Sequence, residues 1–282
     1  MTKYPIERRR LLAGMGLAAA CLTLGIRPAL AASFASRRIA VTVTGQGRDV
    51  LLIPGLGSGP AIWNSMVSGV PGYRWHRVHV AGFANLAAGA NAEGAVVQPV
   101  ADEIARYVKE AGLVRPAVIG HSMGGTLAML LAIRGAVGRA MVVDMLPAGA
   151  AMVGGTASGL GYLASQLGDY FTGTKAGRAY LAQMVAQAPG ARGSDPAVIA
   201  NALRDLANID LTPQLPRING PLEVVYAVGT DKAQATEITR RFRAAYAARK
   251  DTVLLPIGPS GHVVMADQPA RFNALASAFL KG

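Results

Sequence analysis

Short apolar stretches alternate with longer stretches of helical periodicity along most of the chain after residue 37. In residues 98–111, for example, Val100 and Ile104 recur at the spacing that places apolar side chains on one face of a helix. Strands that alternate with helices are typical of α/β folds, in which helices cover a mostly parallel sheet. We therefore predict an α/β fold. Its predicted strands are 39–44, 50–53, 77–80, 117–119, 140–143, 222–226 and 253–255, and further helices are predicted over 123–134 and 268–280.

The first two predicted strands are separated by Gly45-Gln46-Gly47, a run that favours a tight turn. Two strands joined by such a turn commonly pair with each other as a hairpin. The sequence thus predicts that strand 39–44 lies directly beside strand 50–53.

One long segment, residues 147–220, departs from this alternation because no convincing strand pattern occurs in it. Helical stretches near 160–167, 175–188 and 196–207 are separated there by glycines and prolines. The segment is predicted to be a helical insertion between two strands of the sheet. Because residues that could take part in catalysis flank this segment in the sequence, we interpret it as a cap over a pocket. The alternative is a helical excursion that has no role in any site.

The first 32 residues have the organisation of an export signal. Arg8-Arg9-Arg10 precedes an uncharged apolar run from Leu11 to Ile26, and Ala29-Leu30-Ala31 provides a small-residue cleavage site. The run is about 16 residues long, whereas a transmembrane helix needs roughly 20. Paired arginines directly before the run resemble a twin-arginine signal. We expect cleavage after residue 31 or 32, export to the periplasm or the exterior, and no stable membrane anchor afterwards; an uncleaved anchor and lipid attachment at Cys21 are the alternatives.

The composition narrows the classes of function. Hydrophobic residues make up 51% of the chain and charged residues 16%, which indicates a folded protein with a large apolar core. The single cysteine, Cys21, excludes a disulfide framework and a cysteine-ligated zinc site. The formal net charge is +12, and removal of the predicted signal would lower it by four. Because the basic residues are scattered and not interleaved with aromatics, nucleic-acid binding is not expected.

The pentapeptide Gly120-His121-Ser122-Met123-Gly124 lies between an apolar strand and an apolar helix. This G-x-S-x-G pattern in a strand–turn–helix context is typical of a nucleophile elbow, in which a sharp turn exposes the serine at the end of a strand. Glycines at both flanks remove side chains that would collide in the turn. The following helix directs its first N–H groups toward developing negative charge. Ser122 is therefore the predicted nucleophile.

A serine hydroxyl needs a base to become a nucleophile, and the chain contains four histidines. His121 adjoins Ser122, but the elbow is expected to point neighbouring side chains away from the serine. His76 and His79 lie near a strand in the first half of the chain, where we expect a polar or structural role. His262 lies in a loop after the last predicted strand, from which a side chain can return to the serine. His262 is the predicted base.

Taken together, these features resemble the α/β-hydrolase superfamily of serine hydrolases. The resemblance rests on residues 51–57, the serine elbow, the closing segment 261–265 and the order Ser, Asp, His, and it extends over nearly the whole chain after the signal. It implies the α/β-hydrolase fold: a mostly parallel central sheet flanked by helices, with a helical cap insertion. It also implies an oxyanion hole formed by the backbone N–H groups of Leu56 and Met123.

The same resemblance locates the acid of a catalytic triad after the strand that precedes the last one. In this chain Asp231 follows strand 222–226, one residue earlier than the usual spacing in the family. Asp144, directly after strand 140–143, is the alternative, since some relatives carry the acid there. We favour Asp231 and leave Asp144 open.

The predicted activity is cleavage of a carboxylic ester or a related acyl bond through a Ser-His-Asp triad and an acyl-enzyme. Lactonase, amidase or carbon–carbon bond hydrolase activity stays open, as does a binding protein that keeps the fold without turnover. The expected partner is a small ester-like molecule, no metal or organic cofactor is expected, and the oligomeric state is left open. The predicted divisions are a signal at 1–32, a core formed by 33–146 and 221–282, and a cap at 147–220.

Overall fold

Within residues 34–153, 174–187 and 190–282, which the computed structural model describes, seven strands form one sheet in the order β1-β3-β2-β4-β5-β6-β7. The edge strand β1 runs antiparallel to β3, and the other neighbouring strands are parallel. The prediction of an α/β fold with a mostly parallel sheet is confirmed. The strands are β1 Ile39–Gly45, β2 Arg48–Ile53, β3 Tyr73–Val80, β4 Ala117–His121, β5 Arg139–Val143, β6 Leu222–Ala227 and β7 Val253–Ile257.

Helices cover both faces of the sheet, and the alternation of side chains along each strand explains why both faces are apolar. In β4, Val118 points into one buried cluster while Ala117 and Ile119 belong to the other. The first cluster includes side chains of the helices at 97–110, 123–133 and 232–245, and the second includes those of the helices at 64–69 and 269–281. The α-helices are α1 Asn64–Gly69, α2 Val97–Glu110, α3 Met123–Ile133, α4 Gly149–Val153, α5 Lys175–Gln187, α6 Pro196–Asn208, α7 Lys232–Ala245, α8 Val264–Asp267 and α9 Pro269–Lys281.

The predicted pairing of the first two strands is wrong, because β3 lies between them. Val41 of β1 is opposite Val78 of β3, whereas β2 pairs with β3 on one side and β4 on the other. The burial of the strands gives the reason: Leu51 and Leu52 in β2 are fully buried, as a central strand requires, while β1 keeps an exposed face. Gly47, between the two strands, allows the chain to pass close to Gly72, since a Cβ at Gly47 would lie 2.2 Å from the carbonyl oxygen of Gly72.

The insertion, residues 147–220, leaves the sheet after β5 and returns at β6. Of its predicted helices, 175–188 and 196–207 correspond to α5 and α6, whereas 160–167 lies outside the described residues. Helix α6 packs against α4, α5 and α2. Its buried residues Val198 and Ile199 join the cluster on the α2 and α3 face of the sheet, so the end of the insertion is continuous with the core.

The predicted signal at residues 1–32 also lies outside the described part of the chain. Among the described residues, none of the helices combines the length and apolar character needed to cross a membrane.

Candidate active site

The turn at Ser122 joins the carboxyl end of β4 to the start of α3 in a strained backbone conformation. Ser122 has φ 52° and ψ −121°, a region that L-residues rarely occupy and that costs about 1–3 kcal/mol. Its N–H group donates a hydrogen bond of 2.9 Å to the carbonyl of Val143 on the neighbouring strand β5. The end of β5 therefore supports the turn and holds Ser122 at the carboxyl edge of the sheet.

The two glycines of the pentapeptide have a direct steric reason. A Cβ at Gly120 would lie 2.0 Å from the carbonyl oxygen of Gly124, across the turn. A Cβ at Gly124 would lie 2.2 Å from the carbonyl oxygen of Ile53 at the end of β2. Both contacts are with backbone that cannot move aside, so only glycine fits at either position.

The hydroxyl of Ser122 is not used by the helix that it precedes. A serine at this position usually accepts a hydrogen bond from a backbone N–H of the first turn. Within the described part of the chain, the Ser122 side chain makes no such capping bond, and the residue is half-buried. Met123 is the first residue of α3, and the first N–H groups of a helix have no carbonyl partner inside it.

A tight turn after β2 packs directly on the serine elbow. The N–H of Ser58 donates a hydrogen bond of 3.0 Å to the carbonyl of Gly55, which closes a four-residue turn around Leu56 and Gly57. Gly57 has φ 71°, the left-handed conformation that the third position of a type II turn requires. A Cβ at Gly55 would lie 3.1 Å from Cβ of Ser122. The turn therefore brings the backbone around Leu56 against the elbow.

Asp144, directly after β5, is hydrogen-bonded to His262. Its Oδ2 atom lies 2.6 Å from Nδ1 of His262, and its Oδ1 atom accepts a bond of 3.0 Å from the N–H of Ala227. The Asp144 side chain is 2% exposed and that of His262 26%. Because a carboxylate only accepts, the proton of a neutral His262 lies on Nδ1, and Nε2 keeps its lone pair.

Asp231, the favoured acid of the sequence analysis, has a different place. It is the exposed N-cap of α7, where its Oδ1 atom accepts a hydrogen bond of 2.7 Å from the N–H of Gln234. The structure thus brings the alternative, Asp144, to His262 in its stead. The strand order gives the reason: β5 lies between β4 and β6, next to the strand that Ser122 follows, whereas Asp231 follows β6 and caps α7.

His121 points toward the loop of His262. Its Nε2 atom lies 2.8 Å from the carbonyl oxygen of His262, so Nε2 carries the proton, and the two rings lie 4.6 Å apart. Burial, reinforced by the neighbouring His262, lowers the pKa of His121 to about 3. Its Nδ1 atom is buried and has no hydrogen-bond partner among the described residues. His121 is therefore a neutral ring that holds the His262 loop, a contact that the sequence analysis missed.

Asp267 holds the other side of the His262 loop. Its Oδ2 atom accepts hydrogen bonds from the N–H of Gly261, at 2.8 Å, and from the hydroxyl of Ser260, at 3.3 Å. Asp267 is the last residue of the short helix α8, and no sequence signal separated it from other helix-terminal acids. The loop that carries His262 is thus fixed by side chains on both sides.

The two remaining histidines, His76 and His79, lie in β3 and make structural contacts there. His76 is buried between Asp49, which accepts from Nε2–H at 2.8 Å, and Tyr107, whose hydroxyl donates to Nδ1 at 2.6 Å. Burial is the main cause that lowers the pKa of His76. Nε2 of His79 lies 2.8 Å from the carbonyl oxygen of Phe83. The expected structural role of both histidines agrees with these contacts.

No group of three or more histidine, cysteine, aspartate or glutamate side chains within the described ranges is arranged to hold a metal ion. The polar groups gathered at the carboxyl edge of the sheet are the hydroxyl of Ser122, the His262–Asp144 pair and the backbone donors of two turns. This set is suited to nucleophilic attack on a carbonyl carbon.

Comparison with known proteins identifies the class. A model of the alpha/beta hydrolase family matches residues 50–275, so the chain belongs to the α/β-hydrolase family and is a hydrolase. No curated protein sequence matches the chain significantly.

Several solved structures have the same fold. An esterase from Exiguobacterium antarcticum is 19% identical with a TM-score of 0.64, covering 86% of this chain and 96% of its own. The N-acyl homoserine lactonase AidH is 17% identical with a TM-score of 0.64, covering 88% and 96%. The enol-lactonase from Burkholderia xenovorans LB400 is 16% identical with a TM-score of 0.62, covering 86% and 96%. At these identities the likeness concerns the fold, and the prediction of an α/β-hydrolase fold is confirmed.

Proposed function

We propose that this hydrolase cleaves a carboxylic ester or a related acyl bond, with Ser122 as nucleophile, His262 as base and Asp144 as the acid of the triad. The observation that carries the proposal is the 2.6 Å hydrogen bond between His262 and Asp144, at the sheet edge where the strained turn presents Ser122. The bond leaves Nε2 of His262 free to accept a proton.

The reaction begins with a proton transfer. As Oγ of Ser122 attacks the carbonyl carbon, Nε2 of His262 takes the hydroxyl proton. The ring then carries a positive charge, which the buried carboxylate of Asp144 stabilises. The imidazolium returns the proton to the leaving group as the carbonyl–heteroatom bond breaks. Water, activated by the same histidine, then attacks the acyl-enzyme and releases the acid product.

The negative oxygen of the tetrahedral intermediate needs hydrogen-bond donors that are already in position. The backbone N–H groups of Leu56, in the turn after β2, and Met123, at the start of α3, would serve this purpose. The N-terminal end of α3 adds a partial positive charge. One such donor contributes about 3 kcal/mol to transition-state stabilisation in comparable enzymes.

The insertion would act as a cap that bounds the substrate site, because its residues Ala191 and Ser194 lie against Gly57 in the turn that contains Leu56. The expected substrate is a small molecule with an ester-like bond. Relatives of the fold include proteins named as esterases and lactonases, so esters and lactones are the first substrates to compare.

Active-site labelling tests the proposal. A fluorophosphonate should label the wild-type protein at one residue, located by peptide mass spectrometry as Ser122. Ser122→Ala should abolish labelling and hydrolysis, while Ser65→Ala, which changes an exposed serine on α1, should leave both intact. A panel of nitrophenyl esters of increasing chain length, lactones and anilides would then define the bond cleaved. Labelling of Ser122→Ala at the wild-type rate would refute the assignment.

A further inference from the structure

The hydroxyl of Ser194, in the insertion, joins three loops at the candidate site. It donates a hydrogen bond of 2.7 Å to the carbonyl of Gly57 and accepts one of 2.9 Å from the N–H of Ala84. Ser194 is only 7% exposed. The insertion is thereby bonded both to the turn after β2 and to the loop after β3.

Backbone hydrogen bonds on either side of Ser194 hold the same junction. The N–H of Asn85 donates to the carbonyl of Gly193 at 3.1 Å, and the N–H of Asp195 donates to the carbonyl of Gly82 at 2.7 Å. Three consecutive residues of the insertion, 193–195, are therefore hydrogen-bonded to the core. Of these bonds, that of the Ser194 side chain is the one made to the turn after β2.

The junction is closely packed, so the loops cannot shift independently. A Cβ at Gly57 would lie 2.9 Å from Cβ of Ala191, and a Cβ at Gly82 would lie 2.6 Å from the side chain of Val198. A Cβ at Gly193 would lie 2.0 Å from Oδ1 of Asn85. Glycine at these positions permits the close approach of the loops, and in a closely packed junction a displacement of one loop displaces its neighbour.

Gly57 directly follows Leu56 in the turn closed by the Ser58–Gly55 hydrogen bond. The carbonyl of Gly57 shares its peptide plane with the N–H of Ser58, and the N–H of Leu56 shares its plane with the carbonyl of Gly55. The hydrogen bond from Ser58 to Gly55 couples these two planes across the turn. A hydrogen bond that fixes the carbonyl of Gly57 therefore restricts the direction in which the N–H of Leu56 points.

We propose that Ser194, in the insertion, is a positioning residue. Its hydrogen bond to the carbonyl of Gly57 holds the turn so that the N–H of Leu56 is aligned for the oxyanion. This inference rests on the proposed function, since it concerns the oxyanion hole of that reaction. A donor aligned in advance acts in the transition state and little on the bound substrate. Loss of the Ser194 hydroxyl should therefore lower kcat and leave KM nearly unchanged.

The test compares Ser194→Ala with Asp205→Ala. Asp205 also ties the insertion to the core, because its Oδ2 atom accepts hydrogen bonds from the N–H groups of Val96 and Val97 at the start of α2, and neither belongs to the turn. Measurements are kcat and KM on an ester from the substrate panel, the fluorophosphonate labelling rate and inhibition by a boronic acid, which forms a tetrahedral adduct with the serine. Thermal unfolding identifies variants that have lost the fold.

Ser194→Ala should lower kcat about tenfold, slow labelling and weaken boronate inhibition by similar factors, and change KM less than twofold, as expected for about 1.4 kcal/mol of transition-state stabilisation. Asp205→Ala should leave kcat and labelling within twofold of the wild type. Ser194→Cys, with its weaker donor, should fall between Ser194→Ala and the wild type and provides the comparison if the alanine variant does not fold.

Two groups of outcomes would overturn the inference. If Ser194→Ala and Asp205→Ala reduce kcat equally, the insertion affects catalysis only because it is bound to the core. If Ser194→Ala alters KM alone, Ser194 does not align the oxyanion donor. The same conclusion follows if Ser194→Ala, or a folded Ser194→Cys, is labelled at the wild-type rate. A wild-type protein that is not labelled at all would instead contradict the proposed function, and the inference with it.

Discussion

Oδ2 of Asp144 lies 2.6 Å from Nδ1 of His262, although 118 residues separate them in the chain. The other oxygen of Asp144 is also occupied, by the N–H of Ala227 on β6. With both oxygens bonded, the carboxylate has one orientation, and it therefore fixes both the tautomer and the direction of the His262 ring.

Asp144→Asn is expected to lower kcat by about 10⁴, because the amide would present a donor to Nδ1 and favour the tautomer that cannot accept a proton at Nε2. Steady-state kinetics on the best ester substrate would measure the change.

Asp231→Asn is the matched control. Asn caps a helix about as well as Asp, so stability and kcat should both stay near the wild-type values. If the two variants show the reverse order of activity, Asp231 is the acid and the assignment to Asp144 fails.

The contact between His121 and the His262 carbonyl gives a second prediction. His121→Phe keeps a ring but removes the donor, which leaves a carbonyl without its partner at a typical cost of about 1–3 kcal/mol. We expect lower thermal stability and a fall in kcat of about tenfold, since the loop that carries the base is loosened. His121→Gln can still donate a hydrogen bond and should retain more of both. Equal losses in the two variants would show that the ring itself, and not its donor, is what matters.

Buried neutral histidines should make the fold sensitive to mild acid. The pKa of His121 is lowered to about 3 and that of His76 is lowered as well, in each case mainly by burial, from a reference value of 6.5. Below pH 6.5 the unfolded chain thus binds protons that the folded chain does not, so the free energy of unfolding falls as the pH falls. From pH 6.5 to 5, His121 alone should remove about 1.5 kcal/mol.

Urea unfolding at several pH values between 6.5 and 5 measures this dependence, in a range where carboxylates remain mostly ionised. His121→Gln, which no longer titrates at this position, should show a distinctly shallower slope than the wild type. An unchanged slope in that variant would mean that His121 is protonated to the same extent in the folded and unfolded chains.

We also propose that the first 32 residues export the protein and are removed. The arginine cluster, the short apolar run and the Ala29-Leu30-Ala31 site motivate this proposal. Mass spectrometry of the protein from its native host should find a new N-terminus near Ala32 or Ser33. An intact N-terminus in a cytoplasmic fraction would contradict export, and replacement of Arg8 and Arg9 by lysine would test the twin-arginine character of the signal.

Much of the fold could be predicted because its signals are local. Burial on both faces makes residues 50–53 of β2, 117–119 of β4 and 140–143 of β5 apolar, and helical periodicity marks α2 and α9. The order of the strands could not be predicted from local signals. The glycine-rich turn after β1 was compatible with a hairpin of β1 and β2, and only the position of β3 between these two strands excluded that hairpin.

The serine elbow could be predicted from the sequence itself, because its G-x-S-x-G pattern lies within five residues between an apolar strand and an apolar helix. Gly120 and Gly124 avoid backbone atoms at about 2 Å, and no other residue could occupy those positions in that turn. The choice of His262 likewise followed from its place in a loop after the last strand.

The partners of His262 were decided only by the tertiary structure. Asp144 and Asp231 each follow a strand of the same parallel sheet, so spacing along the chain could not distinguish them. The sheet places β5 beside β4, which brings Asp144 to the serine edge, while the start of α7 takes Asp231 as its cap. The contacts of His121 with the His262 loop and of Ser194 with Gly57 arise in the same way, since each joins groups more than 130 residues apart that only packing brings within hydrogen-bond distance.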